Sequence, residues 1–196
     1  DARRALGLDE KTPMIVSAWG SLGAREMNKK IAQFMRCECE DSTPFHHIHA
    51  TGSFGWRWMP DYVREQGVDL AAQPRIEMRE YIYDMPQVLA AADLIICRAG
   101  AATIAEVCAS GTPCIMVPSP NVTGNHQEKN ARVLERSGAA AVVREADCDG
   151  KSLYETAKSI LSDAGRMRAM RASARDMAVV DAAERIYQTA LDLAKH

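Results

Sequence analysis

The stretch DLIICRAGAATIAEVCASGTPCIMVPSPNVTGNHQEKN, residues 93–130, decides how the chain is read. Residues 94–97 are an apolar run too short for a helix and flanked by Asp93 and Arg98, the pattern of a strand buried on both faces of a parallel sheet. Gly100 ends it. From Thr103 the apolar spacing turns helical, with Thr103 as N-cap and Glu106 at the capping-box interval. Gly111 and Pro113 stop that helix, and a second buried strand over 114–117 precedes a loop opened by Pro118 and Pro120. Strand, glycine turn, helix, strand is an order that aims the free N–H groups and positive dipole end of the helix at the crevice beyond the strands, where anions bind. Glu106, about one turn inside the helix, either closes the capping box or offers its carboxylate to a vicinal diol such as a ribose.

Working outward, residues 14–19 form a strand that runs into Gly20-Ser21-Leu22-Gly23-Ala24, followed by a helix over 25–36. Gly20 and Gly23 allow tight turning and close approach of backbone, and Ser21 offers a hydroxyl to a phosphate oxygen; such a turn is either a phosphate loop or a plain connector. Residues 45–50 read as a second strand, 51–53 as its exit loop and 56–67 as a helix ending at Gly67, with Trp56 and Trp58 as ligand platform or packing residues. A third strand over 75–80 continues through 81–85 into a helix that turns Val88, Leu89 and Ala92 to the sheet, with Asp84 as its N-cap. Beyond the central stretch, the 118–124 loop is rich in Pro, Asn and Gly, and the helix opening at 125–130 presents Gln127 as both donor and acceptor. His126 is a proton-transfer group or a simple hydrogen-bonding one, and Asn130 braces the loop. A strand over 140–143 leads to helices with apolar spacing at Leu153, Ala157, Ile160 and Leu161, repeated at Ile186, Ala190, Leu191 and Leu193. About six strands alternating with helices make a doubly wound, Rossmann-like α/β parallel sheet. No G-x-G-x-x-G follows the first strand, which argues against a dinucleotide-dependent dehydrogenase.

The 196 residues suit one domain, and 47% hydrophobic with 26% charged residues is enough for a real core. A net charge of −2 excludes a generally basic nucleic-acid-binding surface. No apolar run approaches a membrane span, and the start carries no signal-peptide pattern. Residues 1–12 read as the remnant of an interdomain linker and 13–196 as the folded domain of a longer protein. Cys37, Cys39, Cys97, Cys108, Cys114 and Cys148 are expected to be reduced, and those in the apolar runs to be core residues. Cys37 and Cys39 with His46, His47 and His49 fit no common zinc spacing, so no metal is expected. Arg166, Arg168, Arg171 and Arg175 are too sparse for a membrane-binding block and read as a solvated helix face.

Several motifs agree on a family. CRAGAATIAE (97–106), GTPCIMVPSP (111–120) and NHQEKNA (125–131), together with GSLGAR (20–25) and IYDMPQVLAAADLIICRAG (82–100), resemble the C-terminal half of the family 28 glycosyltransferases that add N-acetylglucosamine to lipid I in peptidoglycan synthesis. The resemblance covers nearly the whole chain in the right order. It implies the C-terminal half of a GT-B fold that binds UDP-N-acetylglucosamine without a metal or other cofactor. It also implies an absent N-terminal domain that holds the lipid I acceptor, the general base and the peripheral contact with the inner face of the plasma membrane, in the cytoplasm. On this sequence the implied binding residues are Gly20, Ser21 and Gly23 on phosphate, and Ile82 reading uracil with its backbone. Thr103 and Glu106 fall near phosphate and ribose beside Gly100 and Ala101, Gln127 with neighbouring His126 on the hexose, and Arg98 supplies charge at the crevice. The fragment alone is then expected to bind donor weakly and to turn nothing over. Two rivals stay open: a donor-binding subunit that needs a membrane partner chain, and a UDP-sugar epimerase, which would require acid–base carboxylates across the crevice.

Overall fold

In a computed structural model, which describes residues 2–41 and 45–194, the elements run α1 (Ala2–Ala5), β1 (Met14–Ala18), α2 (Arg25–Glu40), β2 (His46–Ala50), α3 (Ser53–Trp56), α4 (Met59–Glu65) and β3 (Ile76–Arg79). They continue α5 (Met85–Ala91), β4 (Leu94–Cys97), α6 (Ala101–Ser110), β5 (Cys114–Met116), α7 (His126–Ser137), β6 (Ala140–Val142), α8 (Gly150–Ser162), α9 (Ala164–Asp176) and α10 (Ala182–Ala194). Asp1, residues 42–44 and residues 195–196, which fall within the two ranges read as linker and domain, lie outside the described residues.

All six strands are parallel, in the order β3-β2-β1-β4-β5-β6. The chain winds outward from β1 in one direction and from β4 in the other. The loops leaving these two neighbours therefore diverge to opposite faces and open a crevice at their C-terminal ends. Alternation along the strands divides the core. Ile15, Ile96 and Ile115 meet Phe34 of α2 and Tyr154 of α8 on one face, whereas Val16, Ile95 and Met116 meet Val88, Val107 and Leu134 from α5, α6 and α7 on the other. Both faces are covered, which is why β4 and β5 read as unbroken apolar runs. Helices α2 and α8 touch closely because Gly150 lacks a side chain: a Cβ there would lie 2.3 Å from the Lys30 carbonyl oxygen.

The elements match the sequence reading, with differences that have physical causes. Helix α2 runs on to Glu40, four residues past the predicted end, because Cys37 and Glu38 continue its inward stripe. The helix expected over 56–67 is confined to α4, and a separate short helix, α3, lies before it, with Arg57 and Trp58 between the two. Asp84 holds the N-cap position of α5, but its side chain caps nothing; instead it accepts from Arg79 Nη1 at 3.1 Å. The last helix, α10, forms as expected but has no buried residue, so its apolar stripe of Ile186, Tyr187, Leu191 and Leu193 faces outward. Residues before β1 are docked on the fold. Ala2, Leu6 and Leu8 pack on the α5 side of the core, and Arg3 donates to the Ala91 carbonyl at 3.1 Å and pairs with Asp93 at 2.9 Å. Asp93 also accepts from the Met14 amide and from Arg171, so one carboxylate ties the N-terminal segment, β1 and α9 together. His46 points away from His47 and His49, toward Asp9, so the cysteine and histidine run does not converge. Among the described residues, no helix is long and apolar enough to cross a membrane.

Candidate functional site

The crevice between β1 and β4 holds a cleft of about 360 Å³, bounded by Gly20 and Ser21 after β1, by Tyr81 and Ile82 before α5 and Met85 at its start, by Gly100, Thr103 and Glu106 of the β4–α6 junction, and by Gln127. A more open depression of about 520 Å³ lies beside it, with Glu26, Glu128, Glu145 and Asp147 on its wall against Lys30 and Arg144. Carboxylates outnumber cations there, which disfavours an anion. In the smaller cleft the backbone provides the opposite environment.

Helix α6 begins at Ala101, with Gly100 in extended conformation as the N-cap, so Thr103 is the third helical residue and not the cap. The first helical hydrogen bond is made by Ile104, at 3.0 Å to the Gly100 carbonyl. The amides of Ala101, Ala102 and Thr103 are thus free of helical partners and point, with the helix dipole, past the ends of the strands. Ala101 does not itself line the cleft, whereas Ala102 and Thr103 do. The Thr-x-x-Glu spacing therefore closes no capping box. Glu106 is exposed at the cleft and makes no hydrogen bond within the described residues, which removes the structural reading of that carboxylate. Its charge is felt beneath the cleft, where the Cys97 thiol is pushed up to about 12, first by burial and then by Glu106.

The glycine loop is divided in its roles. Gly20 (φ 83°) and Gly23 (φ 78°) adopt the left-handed conformation that favours glycine. The Gly23 N–H, however, donates to the Gly20 carbonyl at 3.1 Å and closes the turn, so it is not available to a phosphate as the sequence reading had it. Gly23 instead packs against Gly52, where a Cβ would lie 2.1 Å from the Gly23 nitrogen. The Ser21 hydroxyl has no partner among the described residues and stands exposed on the cleft wall. Ile82 buries its side chain, at 2% exposure, while its N–H and C=O take no partner within the described residues.

Two other expectations are altered. Arg98 lines the cleft, but its guanidinium is committed. Nη1 donates to the Val117 carbonyl at 3.0 Å, Nη2 lies 2.6 Å from Glu145 Oε2 at an angle that suits ion pairing better than hydrogen bonding, and the group sits 5.7 Å above the Trp19 ring. It serves as a strut between β4, β5 and the loop after β6 and offers no free charge. Gln127 uses its side-chain oxygen to accept from the Ser119 amide at 2.9 Å, leaving the NH₂ group as what it presents. His126 lies exposed at the start of α7, off the cleft wall, with Nδ1 at 3.0 Å from the Thr123 carbonyl; that contact makes Nδ1 the donor and leaves Nε2 bare. Asn130, read as a brace for the 118–124 loop, instead donates to the Ala99 carbonyl at 3.2 Å and braces the turn after β4.

Sequence reasoning missed Arg25 and Tyr81. Arg25 opens α2 directly after the glycine loop, stacks 4.9 Å above Trp58, and has no carboxylate partner among the described residues. Its place beside GSLGA was the available signal. Trp58 is thereby a packing residue that also touches Tyr62. Tyr81, 45% exposed on the cleft wall, pairs edge-on with Tyr83 at 5.0 Å.

The sequence model of the glycosyltransferase family 28 C-terminal domain matches residues 14–186. The chain belongs to that family. The family 28 domain is 38% identical over 195 residues to the "UDP-N-acetylglucosamine--N-acetylmuramyl-(pentapeptide) pyrophosphoryl-undecaprenol N-acetylglucosamine transferase" of Acetivibrio thermocellus, an alignment covering 100% of this chain and 51% of the relative. It is 37% identical over 194 residues to the enzyme of the same name from Listeria welshimeri, covering 99% and 52%. Among solved structures, the family 28 domain superposes on Acinetobacter baumannii MurG with a TM-score of 0.77 at 26% identity, over 92% of this chain and 52% of that one. WaaG, a lipopolysaccharide glycosyltransferase, shares the fold at a TM-score of 0.68 and 17% identity, over 98% and 49%. These two neighbours are GT-B glycosyltransferases, and the chain spans about half the length of the curated relatives it matches.

Proposed function

We propose that this chain is the donor-binding half of an inverting hexosyltransferase that moves N-acetylglucosamine from UDP-N-acetylglucosamine to lipid I, with residues 13–196 as the nucleotide-sugar domain. The observation that carries the reading is the pairing, at one cleft, of the free amides at the start of α6 with a carboxylate, Glu106, that has no hydrogen-bond partner among the described residues and lies less than two turns further in. Diphosphate and ribose diol are separated by a similar interval. The amides and the Ser21 hydroxyl take the diphosphate, Glu106 takes the ribose hydroxyls, the N–H and C=O of Ile82 meet the imide edge of uracil, and the Gln127 NH₂ donates to a sugar hydroxyl.

The chemistry follows from this assignment. The acceptor hydroxyl attacks the anomeric carbon from the side opposite the diphosphate, the new C–O bond forms as the bond to the diphosphate oxygen breaks, and UDP leaves with the added negative charge. Fixed N–H dipoles at the start of α6 stabilise that charge without reorganising. Arg98 contributes by holding the cleft's shape, since its charge is already compensated. Glu106 is the one carboxylate on the described cleft wall, so an epimerase-type carboxylate pair finds no support on this half. Acceptor, proton acceptor and contact with the cytoplasmic membrane face belong to the other half of the enzyme. Calorimetry of the chain with UDP, UDP-N-acetylglucosamine and NAD tests the reading: heat with the two uridine ligands and none with NAD is expected, and no heat with UDP would refute it.

A further inference from the structure

On the α2 side of the sheet, four side chains that the donor site does not use form one buried chain. Ser17 and His47 and His49 are wholly buried, and Glu38 is 8% exposed. Ser17 Oγ lies 2.7 Å from His47 Nε2 and 2.7 Å from His49 Nδ1, and His47 Nδ1 lies 2.8 Å from Glu38 Oε2. Proton positions follow from one backbone atom and one carboxylate. The Ser17 carbonyl, 3.2 Å from His49 Nδ1, can only accept, so His49 carries its proton on Nδ1. With His47 neutral and facing the Glu38 carboxylate through Nδ1–H, Ser17 Oγ, accepting from the His49 N–H, donates its own hydrogen to His47 Nε2. His47, bare at Nε2, carries its proton on Nδ1 and donates to Glu38. Every donor points one way, from His49 on β2 to Ser17 on β1, back to His47 on β2 and on to Glu38 of α2, and His49 Nε2 and Glu38 Oε1 are left buried with no partner among the described residues.

The chain lies directly behind the cleft. Two residues after Ser17, Trp19 and then Gly20 enter the glycine loop; two residues after His49, Thr51 and Gly52 enter the loop that packs on Gly23. The loops are stitched together by Ser53 N–H to the Ser21 carbonyl at 3.0 Å, and by Gly52 N–H to the Glu80 carbonyl beside Tyr81 at 3.0 Å. Asn28 of α2 adds a bond to the Thr51 carbonyl at 2.8 Å. We propose that Ser17, His47, His49 and Glu38 are positioning residues forming a one-way, acid-sensitive latch that holds the β1 and β2 exit loops in ligand-ready register.

Acid sensitivity comes from the bare His49 Nε2. A proton arriving there creates an imidazolium with no acceptor, and burial with neighbouring His47 already drives the His49 imidazole well below its ordinary value. The groups facing the two rings are Ser17 from β1, Ile76 and Met78 in register on β3, and Phe34 and Glu38 from α2; Glu38 is the only charged one, and it already accepts from His47. Opening the loops lets His49 take its proton in water, so acid favours the open state. Because the latch is placed behind the proposed donor cleft, its value to ligand binding rests on that reading, whereas its own state is read without ligand.

The test uses the 15N-labelled chain. Long-range proton–nitrogen correlation spectra at neutral pH are expected to show both His47 and His49 protonated on Nδ1, the reverse of the form favoured in water; an Nε2 proton on either ring overturns the latch. Amide exchange at Gly52 and Ser53, corrected for intrinsic rates, is expected to quicken about tenfold in Ser17→Ala and in the parent between pH 7 and 5.5, with α9 amides unchanged; equal rates overturn it. Glu38→Gln can turn its amide oxygen to His47, so the Nδ1 form should persist there, whereas Glu38→Leu removes the acceptor, and a His47 spectrum unchanged in Glu38→Leu counts against the chain. UDP titration is run in parallel: loss of affinity in step with exchange supports the coupling, and a parent that binds no UDP while both spectra hold refutes the donor reading and leaves the latch standing.

Discussion

Replacing Glu106 with Gln separates the two jobs assigned to the cleft. The Glu106 carboxylate makes no hydrogen bond within the described fold and is exposed, so the substitution should leave stability within about 0.5 kcal/mol of the parent. Binding should respond in opposite directions for different ligands. A hydrogen bond to a charged group is worth about 1.5–3 kcal/mol, and Gln offers a single neutral acceptor to two ribose hydroxyls, so about 2–3 kcal/mol is lost with UDP. Removing a negative charge roughly 8 Å from the two charges of a diphosphate returns about 1 kcal/mol at a dielectric near 80, as suits an exposed carboxylate, and less in physiological salt. The first effect wins, and the Kd for UDP should rise roughly five- to thirtyfold. Inorganic pyrophosphate lacks the diol, feels only the second effect, and should bind equally well or slightly more tightly. Calorimetry with both ligands on both proteins reads the two signs. An unchanged UDP affinity, or parallel weakening of UDP and pyrophosphate, would refute the assignment of Glu106 to the ribose.

Three further outcomes follow. Gly52→Ala places a Cβ 2.1 Å from the Gly23 nitrogen at a φ of 73°, so urea unfolding should show a loss of at least about 3 kcal/mol; a smaller loss would mean the two loops move apart easily. Asp93→Ala strands Arg3, Arg171 and the Met14 amide at a site that is 29% exposed, and should cost about 2–3 kcal/mol by the same measurement without changing UDP affinity. His49 is held neutral in the fold but takes a proton near its usual 6.5 once unfolded, so the unfolded state binds more protons in that window. Stability should be flat above that pH and fall below it toward the depressed native value, by up to about 1.4 kcal/mol per pH unit; equal unfolding free energies at pH 7.5 and 5.5 would contradict the burial argument.

Strand positions were legible because burial on both faces leaves unbroken apolar runs such as Leu94–Cys97, and the glycines at 20, 23 and 100 marked the loops at the crevice. What the sequence concealed was how polar groups divide between ligand and fold. Thr103 and Glu106 stand at capping-box spacing, but Gly100 caps the helix three residues earlier, and a spacing rule cannot register that shift. The partner that fixes Arg98, Glu145, is 47 residues away, and the Gly23 amide is taken by a carbonyl only three residues back. The histidine run declared a strand, yet nothing local announced that His47 and His49 would share one serine on the neighbouring strand, since that depends on register.

Main-chain amides at Ala101, Ala102 and Thr103 have a consequence for how such a site can change over time. Point mutation rewrites side chains and leaves the peptide unit in place, so short of proline or a break in the helix no single codon change deletes those donors. On the proposed assignment, contacts with pentose and hexose can drift through Glu106 and Gln127 while the anion cradle persists. A compound that takes most of its affinity from the cradle would meet few routes to resistance, and one leaning on Gln127 or Tyr81 would meet many.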